Sequence, residues 1–180
     1  NLDNRLIRVE DNGTVLGEYE YNYYGQRIKK TAGSTTTIYH YDLSGNLIAE
    51  TNTSGSTLKE YIYLGATPLA MIVYGPIRYL PSDLDQDGDV DGVDVCLSDV
   101  SNLAVAAADF GLQYESGANT YYYHTDHLGT PALMTDIQGQ NVWRANYAPF
   151  GELNLSISQV ENNLRFPGQY FDSETGLHYN

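Results

Sequence analysis

A hairpin unit of about twenty residues, repeated in tandem, constrains this chain more than any other feature. Tyr19, Tyr39 and Tyr61 each open a copy, and each is followed two places on by a second ring: Tyr21, Tyr41 and Tyr63. In a strand, a spacing of two puts both rings on one face. A glycine then follows at Gly25, Gly45 and Gly65, where the chain reverses, and a second run arrives as RIKK, NLIAE or PLAMIV. Asp11-Asn12-Gly13, Leu43-Ser44-Gly45-Asn46 and Ser54-Gly55-Ser56 are hairpin connections, because glycine and asparagine accept positive φ. One such hairpin cannot bury its own apolar face, so the repeats must stack side by side. The tyrosines read as packing residues of an amphipathic sheet face, not as ligands.

The second half continues in the same idiom, as YYYHTDHLGTPALMTDIQGQNVWRANYAPFGE from Tyr121 and LRFPGQYFDSETGLHY from Leu164. This wording, with YEYNYYGQRIKK, YHYDLSGNLIAE and YIYLGATPLAMI upstream, resembles the RHS-repeat (YD-repeat) associated core of large secreted bacterial proteins. The resemblance covers most of the chain and leaves out mainly residues 81–113. It implies an all-β fold of tandem hairpins forming a curved or spiral antiparallel sheet, part of the wall of a shell around a toxic effector. It also implies an extracellular or cell-surface location. Trp143, Phe150, Phe166, Tyr170 and Phe171 are expected to join the tyrosines in packing. Many proteins of this family cut themselves with aspartates downstream of the core, and no such segment follows GLHYN here, so no protease role carries over.

Composition narrows the function. The formal net charge is −14, and no Lys or Arg occurs between Arg78 and Arg144. Such a chain repels phosphate backbones and anionic lipid, which argues against nucleic-acid binding and membrane recruitment. No apolar run has membrane-spanning length. The single cysteine, Cys96, excludes an internal disulfide. With Asn1 in place of an initiator Met and no leader, the chain reads as a piece of a longer secreted precursor.

Three domains are expected: YD-repeat hairpins over 1–80, an insertion over 81–113, and core strands over 114–180. The insertion opens with SDLDQDGDVDGVD. Asp83, Asp85 and Asp87 stand at positions one, three and five of a twelve-residue calcium loop, and Gly88 at six allows the sharp turn. Asp89 offers its backbone carbonyl at seven, Asp91 stands at nine, and Asp94 supplies the last carboxylate at twelve. These carboxylates repel one another without a counterion, so the expected cofactor is Ca2+ in a stabilising role. Aspartate at position twelve resembles the loop of a dockerin repeat. Val93, Leu97, Val100, Ala104 and Ala107 follow at helical spacing, and Cys96 is expected among them as a small buried hydrophobe.

No catalytic constellation emerges, and the chain is expected to be non-catalytic. His124 and His127 lie three apart across a strand and turn, which sends them different ways. The expected partners are other copies or other segments of the same RHS-type protein through sheet edges, with an enclosed effector. Two alternatives stand beside the shell wall. One is a subunit of an extracellular filament built by strand addition at exposed edges. The other is a calcium-dependent adhesin with tyrosines facing a sugar.

Overall fold

Five turns share one construction, and it sets the geometry of the sheet. Asn22, Asp42, Asn52, Asp126 and Asp136 each donate the backbone N–H to the carbonyl of the residue four places on, and each carbonyl accepts the amide of a glycine three places on. In every case the side-chain Oδ1 also accepts the backbone N–H of the fourth residue: Gln26, Asn46, Ser56, Thr130 and Gln140. The glycines, Gly25, Gly45, Gly55, Gly129 and Gly139, have φ between +79° and +88°. A Cβ is disfavoured there, which is why the repeat keeps glycine at this place.

These turns join strands in the computed structural model, which describes residues 4–75, 84, 92–98, 103–104, 117–148, 152–166 and 168–180. The strands are β1 (Arg8–Asp11), β2 (Thr14–Tyr21), β3 (Arg27–Ala32), β4 (Thr35–Tyr41), β5 (Leu47–Thr51), β6 (Thr57–Leu64) and β7 (Thr67–Tyr74). After the short helix α1 (Gly92–Leu97) come β8 (Ala118–Thr125), β9 (Pro131–Thr135), β10 (Asn141–Tyr147) and β11 (Leu153–Ser158). All eleven strands form one sheet in chain order, antiparallel wherever the pairing is described, with β1 and β11 as its edges. A separate hairpin, β12 (Tyr170–Asp172) and β13 (Leu177–Tyr179), ends the chain. The fold is all-β, as the repeat requires. Asn1–Val73 and Thr120–Asn180 form one compact unit, and Tyr74–Asn119 forms another.

The turns also insert a bulge just after each reversal. Tyr21 pairs with Arg27 and Glu20 with Lys29, so Ile28 is the extra residue. The same slip recurs after Leu47, Pro68 and Pro131. A bulge re-aims the side chains that follow it. The residue at the start of each returning strand and the one three places on therefore both face the tyrosines. Tyr19 stands opposite Lys30, Tyr39 opposite Glu50, Tyr61 opposite Met71 and Tyr123 opposite Met134. These four tyrosines are buried, and Met71 and Met134 are fully enclosed. Trp143, Val142 and Ala145 extend the same core along β10. Phe150 lies outside the described residues, while Phe166 and Phe171 are half-buried.

The helix departs from expectation. Val93 and Leu97 are exposed at 48% and 56%, and the buried residue of α1 is Asp94. Cys96 is exposed, not tucked among apolar neighbours. Six residues make under two turns, too short to present a continuous apolar stripe. Val100 and Ala107 lie outside the described residues, and Leu103 and Ala104 are helical but exposed.

The turn carboxylates carry a pH signature. Hydrogen bonds from Asn46, side chain first and then backbone, hold Asp42 below the usual carboxylate range. For Asp126, partial desolvation pushes upward, but the Thr130 and Leu128 amides outweigh it and the net shift is down. A carboxylate with a lowered folded-state pKa stabilises fully above its unfolded value, and this is lost as pH falls through the folded one. Asn22 and Asn52 make the same turn without a charge. The substitution Asp42→Asn should therefore keep the hairpin and reduce the loss of thermal midpoint between about pH 5 and pH 2, followed by circular dichroism.

Candidate functional site: a polar seam across the tyrosine face

Charged residues on a buried sheet face need partners, and here the end of the chain supplies them. Arg27, 2% exposed, donates Nη1 to Asp172 Oδ2 at 2.5 Å. Lys30 Nζ reaches Asp172 Oδ1 at 3.1 Å and Glu174 at 3.2 Å. The guanidinium of Arg27 sits 4.6–5.2 Å from the ring centroids of Tyr19, Tyr39, Tyr170 and Tyr179, a cation–π cage. Burial works against its charge, but the hydrogen bond to Asp172 and the surrounding phenols more than compensate, and its pKa is raised.

One hairpin along, Glu50 is 4% exposed and accepts the hydroxyls of Tyr61 at 2.6 Å and Tyr170 at 3.0 Å. Tyr39 meets Tyr170 edge-on at 5.4 Å. Further along, Tyr123 donates to Asn162 Oδ1 at 3.1 Å and Lys59 pairs with Glu161 at 2.8 Å. Tyr179 accepts the backbone amide of Arg27 at 2.9 Å. Burial pushes the phenols of Tyr39, Tyr61, Tyr123 and Tyr170 up, so they remain hydrogen-bond donors. Tyr147, on β10, is pushed up to about 12 for the same reason.

This arrangement fastens one piece of chain to another. Glu161, Asn162, Tyr170, Asp172 and Tyr179 meet residues of the tyrosine face: Lys59, Tyr123, Glu50, Arg27 and Lys30. Arg27, Lys30, Glu50, Asp172 and Arg165 were not singled out from sequence. The signal present there was a charged residue opening or ending a run that otherwise alternates with tyrosine, as in RIKK and NLIAE.

The residues that sequence did single out fall elsewhere. His124 points to solvent on β8, where Nε2 meets Thr135 Oγ1 at 3.1 Å, and His127 is exposed in the following turn. Asp126, between them, is committed to that turn's amides. Asp83, Asp85, Asp87, Asp89 and Asp91 lie outside the described residues. Asp94 is fully buried, and its Oδ1 accepts the Leu84 amide at 2.6 Å. Position twelve of the expected loop thus accepts a hydrogen bond from position two.

Comparison with known proteins bears on this arrangement. The family model described as RHS protein matches residues 120–157. Double-stranded DNA deaminase toxin A of Burkholderia cenocepacia is 29% identical over 98% of this chain, which spans 12% of that relative. Toxin protein Tse5 of Pseudomonas aeruginosa is 38% identical over 35% of this chain and 5% of its own length. The chain thus spans a small fraction of the relatives it matches. A structure of the Photorhabdus luminescens Tc holotoxin pore aligns over 91% of this chain and 8% of that one, at 14% identity and a TM-score of 0.39. With its tandem Tyr-x-Tyr hairpins and a family match running from β8 into β11, the chain is similar to RHS-repeat proteins.

Proposed function

We propose that this chain is a structural, non-catalytic section of the wall of a shell that encloses a secreted effector. The observation that carries this is the polar seam. Four buried contacts, at Arg27, Lys30, Glu50 and Tyr123, hold the 161–179 segment on the sheet, so the sheet serves as a platform on which further chain is fixed. The toxin relatives, of which this chain would be a short stretch, support an effector as the contents. Limited proteolysis of the longest natural product containing this sequence tests the reading. Polypeptide beyond the RHS segment should resist cleavage in the intact protein and become sensitive in an Asp172→Ala variant. Equal sensitivity in both would overturn it.

The filament reading rests on one feature. The edge strand β11 reads LNLSIS, without charge or proline, whereas the opposite edge β1 reads RVED. Uncharged edges recruit strands. Long regular fibres of the purified chain in negative stain would favour it over a shell.

Calcium at Asp83, Asp85, Asp87, Asp89, Asp91 and Asp94 is the third element, supported by the buried Asp94 carboxylate. When bound, the ion would neutralise the acidic loop. With dissociation constants of extracellular type, 1 mM calcium should add about 0.4–1.4 kcal/mol. Thermal unfolding in calcium and in EGTA checks this, and Asp94→Ala should remove the difference. The same midpoint in both media would refute the site.

A further inference from the structure

Four basic side chains in the described residues are buried: Arg27, Lys30, Lys59 and Arg165. The first three each have a carboxylate within 3.1 Å. Arg165, 5% exposed, has no ion pair among the described residues; the carboxylate charge that most favours it is that of Glu161, which is bonded to Lys59. Its Nη1 donates to the Asn162 and Leu164 carbonyls at 2.6 and 2.9 Å, its Nε lacks a partner, and the Phe171 ring covers it at 4.7 Å. A buried cation with only neutral acceptors is costly, since burial favours the uncharged form. Burial does push this guanidinium below its usual range.

Arg165 also lines a cavity of about 340 Å³ between the tyrosine face and residues 164–170, wholly inside one compact unit. Tyr41, Tyr63 and Phe166 give this cavity aromatic walls, and Asn46 and Gln169 add amides. Its volume falls in the range of small-molecule sites, which combine apolar walls with a few convergent polar groups. Gly45, Ala66 and Gly129, all in sheet turns, border it with little side-chain bulk.

We propose that this cavity binds a small aromatic carboxylate, its anion paired with Arg165 and its ring packed against Tyr41, Tyr63 and Phe166. A planar carboxylate matches the fork of one guanidinium. Arg27 also lines the cavity but is committed to Asp172, so a phosphate would bring more charge than the one remaining arginine balances, in a chain of net charge −14. The site lies outside the scaffold role and adds a ligand to it.

The test uses 3-phenylpropionate with the whole chain, reading the arginine Nε–H resonances by NMR. The Arg165 signal should shift saturably. The uncharged isostere 3-phenylpropan-1-ol should bind at least about tenfold more weakly, the cost of losing one ion pair. Ala66 is exposed in the β6–β7 turn, so Ala66→Trp should close the mouth and abolish the shift while leaving the thermal midpoint unchanged. Arg165→Met, if folded, should lose the preference for the acid over the alcohol. If it does not fold, the Ala66 arm decides. No saturable shift at millimolar ligand, equal binding of the alcohol, or undiminished binding to Ala66→Trp would each overturn the proposal.

Discussion

Replacing Asp172 with alanine should cost about 3–5 kcal/mol of folding stability, the penalty for leaving a buried charge without its partner. The carboxylate serves two cations at once, Arg27 at 2.5 Å and Lys30 at 3.1 Å, and both lie under the C-terminal segment. Of the two, Arg27 is the more strictly bound to it: its Nε and Nη2 have no other hydrogen-bond acceptor and are surrounded by rings. The thermal midpoint should fall by on the order of 10 °C for a chain of this size. Trp143, the sole tryptophan and 1% exposed, reports the transition by fluorescence. The double variant Arg27→Met with Asp172→Leu should lose less than Asp172→Leu alone, because it also removes the buried guanidinium that the single change strands, while Lys30 keeps Glu174. A loss below about 1 kcal/mol for Asp172→Ala, the value of an exposed pair, would mean that the seam does not hold the segment.

The substitution Met134→Ala should cost about 2–5 kcal/mol, and Met134→Leu less than about 1.5 kcal/mol. Met134 is fully enclosed and stands opposite Tyr123 in the β8–β9 pair. Met71 holds the same place opposite Tyr61 and lies against the Tyr123 hydroxyl, with sulfur and oxygen 3.6 Å apart. The two methionines occupy the position that Lys30 and Glu50 hold in the earlier hairpins. Truncating one leaves a cavity that its neighbours, locked in a hydrogen-bonded ladder, cannot collapse to fill. Denaturant unfolding followed at Trp143 measures both variants, and equal stability of Met134→Ala and Met134→Leu would place that side chain outside the core.

The period-two tyrosines and the glycine turns were legible because each rests on neighbours in sequence. Tyr19 and Tyr21, or Asp42 and Gly45, need only the local backbone to reveal their role. The inward position of Arg27 together with Lys30 was not legible in that way. Alternation places residues 27 and 30 on opposite faces, and only the bulge at Ile28 returns both to one side. Nor does anything near RIKK point to Asp172, which lies 142 residues from Lys30. The short helix misled for a related reason: Val93 and Leu97 have apolar spacing, but one and a half turns bury a single residue, and it is Asp94. Arg165 reads in sequence as an ordinary cation, since its lack of a carboxylate is a property of three-dimensional surroundings alone.

The bonds of Tyr170 to Glu50 and of Asp172 to Lys30 act as a length gauge. Glu50 and Lys30 lie one hairpin apart, about 9.6 Å across two strand spacings, and the residues that grip them are two apart along one strand. Inserting a hairpin between them would roughly double that distance and break one grip or the other. Gain or loss of whole units is therefore forbidden between Lys30 and Glu50, and the further grips of Glu161 on Lys59 and of Asn162 on Tyr123 carry the same restriction on along the sheet.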